Sequence, residues 1–381
     1  MRRWMALTAA LALLVAMGAA QARPSKKADG PSPGGISSDN VEWLSHIPLI
    51  PSATGGRVVG DYFYVNDQNK ITIMDISDPL NPAITGVLPM PQEAIFSRED
   101  LDTNGKIMVV PDTVRGVLHV VDVEDKTNPT IIAELPGGAA HTVSCILDCK
   151  WAYGSEGSII DLRDPTNPEM MEEQWGDGMP TTSGHDVNEV KIGSGIVLTS
   201  TQPMMLLDAR KDPRHPKLLA TGSNEDFRFI HSSTWPQGGK DKILLAGGET
   251  NFKPRCNETN GAFMTWDASD WKKTHTFTMI DEYRMINGTY TDGNPAVNGV
   301  GCSSHWLEAS PKFKNGGIVA AAFFEHGTRF IDISSKGKIE EIGYFMPHAG
   351  STGAVYWITK DILYAVDYSR GIDILRFTGK Q

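Results

Sequence analysis

Five of the ten histidines stand at comparable places ahead of an acidic residue that ends a short apolar run. His141 lies 20 residues before Asp161, His185 lies 23 before Asp208, His231 lies 36 before Asp267, His305 lies 27 before Asp332 and His348 lies 25 before Asp373. Neutral imidazoles gathered from separate segments are the donor set of Cu, Zn or Fe sites, provided each second ring N–H is held by an acceptor. The expected cofactor is therefore one transition metal ion held among His141, His185, His231, His305 and His348. Asp186 and Glu189 follow His185 closely enough to act as ligand or base. Glu249, Glu325, His326, Arg329, Asp367 and Arg370 fall in turns expected on the same side, where they would surround the imidazoles. No catalytic residue is assigned, because there is no phosphate loop, no Gly-x-Ser-x-Gly elbow and no HExxH. Met170-Met171 and Met204-Met205 read as strand core and not as copper ligands.

The elements that must position these residues are strands. The acidic anchors end seven related runs: ITIMD at Asp75, LHVVD at Asp122, SIID at Asp161, MMLLD at Asp208, FMTWD at Asp267, RFID at Asp332 and GID at Asp373. Successive anchors are 47, 39, 47, 59, 65 and 41 residues apart, the length of a four-stranded propeller blade with variable loops. Helical periodicity is almost absent, and β-branched and aromatic runs are bounded by Gly, Pro, Asn and Asp. The expected fold is all-β, a single seven-bladed β-propeller of four-stranded blades. Residues 41–48 precede the first inner strand and are expected to complete the last blade, so the ring has no bare edge. In this register each His opens the innermost strand of its blade, and blades three to seven would aim their imidazoles at one mouth of the channel. Blades one and two lack the His and carry Gly55-Gly56 and the stretch 93–100 instead. The longest insertions, around residues 248–261 and 281–301, are candidate functional loops.

The runs IMDISDPLNPAITGVL, VVDVEDKTNPTIIAEL and IDLRDPTNPEMM resemble the LVIVD repeat of exported and surface proteins of bacteria and archaea, and EHGTRFIDIS with LYAVDYSRGIDILRF is similar to the C-terminal end of such proteins. The resemblance covers most of residues 58–377 and implies a propeller with no agreed activity. The fifth repeat departs from it in lacking Pro after Asp267, and the sixth in its Ser334-Ser-Lys-Gly-Lys338 turn. A propeller with histidines and cysteines also resembles, in outline, the selenium-binding or methanethiol oxidase propellers, a likeness that carries over no individual residue. Gly184-His185 ahead of Asp208 is similar to the Gly-His pair of WD-type propellers, where the imidazole bonds within its own blade. A device of that kind is expected in every blade, and its absence from two adjacent blades favours an asymmetric site.

Residues 1–22 read as a secretory signal, with Arg2 and Arg3 before the apolar run 5–17 and the small-residue site Ala20-Gln21-Ala22. Residues 23–40 read as a flexible leader, and 41–381 as the propeller, periplasmic or extracellular. In that compartment the four cysteines are expected to be oxidised, Cys145 with Cys149 across a hairpin and Cys256 with Cys302 between the two insertions. The rival for Cys302 is a metal site with His305. A formal charge of −11 repels phosphate backbones, which argues against nucleic acid, and the apolar run is too short for a membrane span. The expected function is ligand or metal binding at one channel mouth, without an assigned reaction. The alternatives are a copper-type exported oxidoreductase and a non-catalytic scaffold for a small molecule, an envelope or extracellular protein, or a cell-envelope glycan.

Overall fold

The computed structural model describes residues 34–92, 97–138, 140–226, 229–249, 261–284, 301 and 303–381. The signal segment, Cys256, Cys302 and most of the two long insertions lie outside these residues. Among those described the chain is built of strands, with only two one-turn helices, Pro236–Gly239 and Trp271–Thr274. Four sheets have four strands each, one has five and one has eight. The eight-stranded sheet is two antiparallel runs of four, joined where Thr221 and Gly222 lie parallel to Thr276 and Phe277. The five-stranded sheet gains its extra edge from Gly35–Ser37, which pairs with Ile339–Pro347. Val41–Ile47 pairs antiparallel with Gly371–Phe377, so the first long strand and the last share a sheet. No described helix is long and apolar enough to cross a membrane.

The sequence pattern explains each strand's place. Second and third strands such as Tyr62–Asn66 and Met204–Asp208 are apolar up to their last residue and buried on both faces. Fourth strands such as Glu169–Gln174 are mostly charged or polar and largely exposed, as outermost strands are. The recurring Asp ends the third strand because its carboxylate accepts the N–H two residues on, an Asx turn that leads the chain out of the sheet. Ser77 N–H donates to Asp75 at 2.9 Å, Glu124 to Asp122 at 2.9 Å, Arg163 to Asp161 at 3.0 Å, Arg210 to Asp208 at 3.1 Å and Ser269 to Asp267 at 2.8 Å. Asp373 works differently, accepting from Trp43 Nε1 at 2.8 Å and Arg370 Nη2 at 2.9 Å and so pinning the N-terminal strand.

The cores lie between sheets. Six buried clusters each join residues of two consecutive sheets and a seventh joins the two halves of the eight-stranded sheet; one packs Phe63 and Val65 of the first against Tyr364, Val366, Ile372 and Ile374 of the last. First strands of neighbouring sheets are tied directly. Gly56 N–H donates to Tyr356 Oη at 2.8 Å, Arg57 Nε pairs with Asp102 at 3.0 Å, and Cys145 N–H donates to Asp102 at 2.9 Å. Thr142 Oγ1 donates to the His185 carbonyl at 2.6 Å, Asn188 Nδ2 to that of Ser233 at 3.2 Å, and Ser232 Oγ to that of His305. Cys145 and Cys149 form a disulfide across a tight turn in which Leu147, Asp148 and Cys149 all take positive φ.

Candidate metal centre

Four of the five register histidines come together, and what gathers them is a carboxylate. Glu99 precedes the short first strand Asp102–Thr103, and only 2% of its surface is exposed. Its Oε1 lies 3.2 Å from His231 Nε2 and 2.9 Å from His305 Nε2. Its Oε2 touches His141 Nε2 and lies 3.8 Å from His185 Nε2. Each imidazole sits where its chain enters a first strand. The His185 N–H donates to the Ser200 carbonyl at 3.1 Å, His231 to Gly247 at 2.8 Å and His305 to Ala322 at 3.0 Å, so each backbone is tied to the second strand of its own sheet. The His141 N–H donates instead to Glu156 Oε1 at 2.9 Å.

The rings pack closely. Centroids of His185 and His231 are 3.6 Å apart, those of His231 and His305 3.8 Å, and those of His141 and His185 4.8 Å. Trp306 stands edge-on to His185, His231 and His305, and Phe229, Phe324 and Tyr368 close the sides. Ligand atoms of Glu99, His185 and His231 lie within 4.8 Å of one another, as do those of His231, Glu249 and His305.

Electrostatics follow from that burial. Burial lowers the His185 pKa to about 3, and His141 and His305 nearby disfavour a further positive charge. Burial, with His185 and His305 adjoining, also holds His231 well below the usual imidazole range. Burial opposes ionisation of Glu99, yet the His141 charge and hydrogen bond and the other imidazoles keep its carboxyl well below the ordinary value. Burial likewise opposes charge on His141, but Glu99 outweighs it and raises this imidazole. Glu249 is raised by burial.

The remaining residues of the expected site are placed elsewhere. His348 does not join the group; its N–H donates to the Gly34 carbonyl at 3.1 Å, and its own carbonyl accepts from Arg370 Nη1 at 2.9 Å. Arg370 also pairs with Asp373, so residue 348 is spent on fixing the N-terminal segment. Arg329 pairs with Glu341 at 3.2 Å and lies over Tyr344, away from the imidazoles. His326 gives its carbonyl to Arg329 Nε, and burial with Arg329 nearby lowers its imidazole pKa to about 4. Glu325 Oε2 accepts the Gly301 N–H at 2.7 Å. Glu189 binds the N–H groups of Leu147 and Gly195, both at 2.7 Å, and of Gly193, which makes it the clamp of two turns and not a base. Asp186 lies one layer deeper, bonded to Asn188 Nδ2 at 2.9 Å in the neighbourhood of Arg57 and Asp102; burial raises its carboxyl to about 6. Asp367 is buried beside Ser369, with Asp373 and Arg370 near.

Two features differ from the sequence expectation. The acceptor behind His305 is a main-chain carbonyl, Gly353 O, 2.6 Å from Nδ1, and the carboxylate occupies the middle of the ring instead of its rim. The central Glu99 comes from the stretch that lacks a histidine. Its signal is present in the sequence: Glu99 lies 23 residues before Asp122, the interval that separates His185 from Asp208.

The solved structures similar to this chain show its fold. The beta-propeller domain of Cps50 (Swd1) from Myceliophteria thermophila matches with a TM-score of 0.60 at 12% identity, over 86% of this chain and 98% of that one. The WD40 repeats of RRP9 match with a TM-score of 0.58 at 10% identity, over 90% of this chain and 98% of that one. The family model of the LVIVD repeat matches residues 53–88. No curated protein is similar to the chain in sequence. The chain is thus an all-β propeller with an LVIVD-repeat match at residues 53–88, and its chemistry has to be read from the residues around Glu99.

Proposed function

We propose that the LVIVD-repeat chain is a seven-bladed propeller that binds a transition metal at one mouth of its channel. The ligands are Glu99, His185, His231 and His305, with His141 and Glu249 at the edge. The observation that carries this reading is at His305. A carbonyl only accepts, so Nδ1 bears the proton that bonds Gly353 O. In the neutral ring Nε2 then presents a lone pair to the Glu99 carboxylate 2.9 Å away. Two buried lone pairs facing each other repel, and a cation between them turns the repulsion into ligation. Neutral imidazoles with carboxylates suit Zn, Cu or Fe, and identical ligands accept several of these ions. Bound there, such an ion would supply Lewis acidity or electron transfer.

The seven-blade count is supported by the seven buried clusters and by taking the eight-stranded sheet as two blades. Closure is supported by the pairing of Val41–Ile47 with Gly371–Phe377. Export is proposed from residues 1–22, and the Cys145–Cys149 bridge agrees with an oxidising compartment.

The test is elemental analysis of untagged protein, beside Glu99→Gln, His305→Ala and His348→Ala. At least one equivalent of Zn, Cu or Fe is expected in the wild type and in His348→Ala, with a loss of tenfold or more in the other two. A wild type that holds none of the three after incubation with each ion overturns the reading.

A further inference from the structure

The two oxygens of Glu99 do not serve the same imidazoles. Oε1 faces His231 and His305, and Oε2 faces His141 and His185. Glu249 groups with His231 and His305, and His231 also groups with Glu99 and His185, so His231 stands between the two sides. Donors to a single ion sit within about 4 Å of each other, twice a metal–nitrogen or metal–oxygen bond. A six-residue donor set divided in this way about one carboxylate is more than one ion uses, since tetrahedral sites take four ligands. A carboxylate that offers each oxygen to its own pair of imidazoles is a bridge.

Resting on the metal reading above, we infer that Glu99 bridges a two-ion centre. One ion is held by Oε2, His141 and His185, the other by Oε1, His231, His305 and Glu249. The two positions are unlike. His231 and His305 are buried, whereas the His141 side chain is 32% exposed. The ion on the His141 side therefore faces solvent with three protein ligands and a free position, and the ion on the His305 side is enclosed. Two divalent ions against two carboxylates leave a net positive charge, so the free position takes an anionic oxygen donor. Pairs of ions bridged in this manner clamp phosphoryl and related oxyanions. The ligand class is a small oxyanion, and inorganic phosphate is the probe.

The experiment is metal titration of the full mature chain after chelation, with Zn²⁺, Cu²⁺ and Fe²⁺ tested separately, followed by timed removal with EDTA. Two equivalents are expected with at least one of these ions. One is lost to chelator at least tenfold faster than the other, and phosphate protects the fast one. His141→Ala, at a half-exposed position that leaves the buried rings in place, is expected to hold one equivalent, lose the fast phase and lose phosphate protection. A melting curve like the wild type's confirms that this variant is folded, and His141→Gln is the second choice if it is not. A wild type that saturates at one equivalent with every ion overturns the bridge and leaves the single-ion reading standing. No binding at all removes both. Two equivalents retained in His141→Ala, or two ions released together, also overturn it.

Discussion

Asp367 shows how a single buried carboxyl sets a pH dependence. It is 1% exposed, Ser369 N–H donates to its Oδ1 at 2.8 Å, and the Ser351 backbone also hydrogen-bonds it. Burial pushes its pKa up to about 7, with Asp373 adding to the rise and Arg370 opposing it. In the unfolded chain such a carboxyl ionises near pH 4. The folded state binds the proton more tightly, so the stabilisation is complete below about pH 4 and is lost as pH rises through about 7. Asp367→Asn is expected to remove that slope, on the order of 4 kcal/mol between its two ends. Melting temperatures of the two proteins measured from pH 4 to pH 8 decide it, and parallel curves reject the assignment. At this scale the sequence was partly legible. His141, His185, His231 and His305 were visible from their register, because a blade repeats and a repeated position lands at one height in the channel. Glu99 was hidden because a carboxylate stands there at the position that imidazoles hold in other blades, and a register of one residue type does not reveal it. His348 kept the register yet left the site, since Arg370 and Gly34 take up its main chain.

Among the elements, the hairpin that carries Cys145 and Cys149 is the most exacting. Three successive residues with positive φ, Leu147, Asp148 and Cys149, cost conformational energy that only surrounding bonds can hold. Glu189 binds the Leu147 N–H and the disulfide spans the turn. A loop this short gives a stabilisation of about 2 kcal/mol through chain entropy. Cys145→Ser/Cys149→Ser is expected to lower the denaturant midpoint accordingly without altering metal content, and an unchanged midpoint would show that Glu189 alone suffices. The pairing was legible because a four-residue separation across an expected hairpin leaves little else for the two thiols to do. The Asp anchors were legible as well, each being the residue that turns the chain out of its sheet. The clamp role of Glu189 was not, because it depends on the neighbouring sheet's turn, which no local pattern reveals.

The whole molecule depends on its two ends meeting. Trp43, His46 and Arg370 converge on Asp373, and Val41 and Trp43 pack in the cluster that holds Leu375 and Phe377. A chain beginning at Pro48 leaves the main-chain edge of Gly371–Phe377 bare, and a bare edge recruits other strands. That truncation is expected to melt at least 10 °C lower and to self-associate in light scattering, while a peptide of residues 34–47 restores a monomer. A truncated chain that stays monomeric with an unaltered melting temperature would refute the closure. The all-β propeller fold was the most legible part of the sequence, since the Asp-ended runs recur at intervals that suit four-stranded units. The same pairing also fixes a chronology. The early strand Val41–Ile47 finds its partner only once Gly371–Phe377 has been made, so their sheet cannot be completed before then. Were the proposed metal centre to form as the sheets assemble, its donors would close around whatever ion is at hand. An exported chain would thus take its metal from the place where it completes folding, and the supply there, more than ligand preference, would decide which ion it carries.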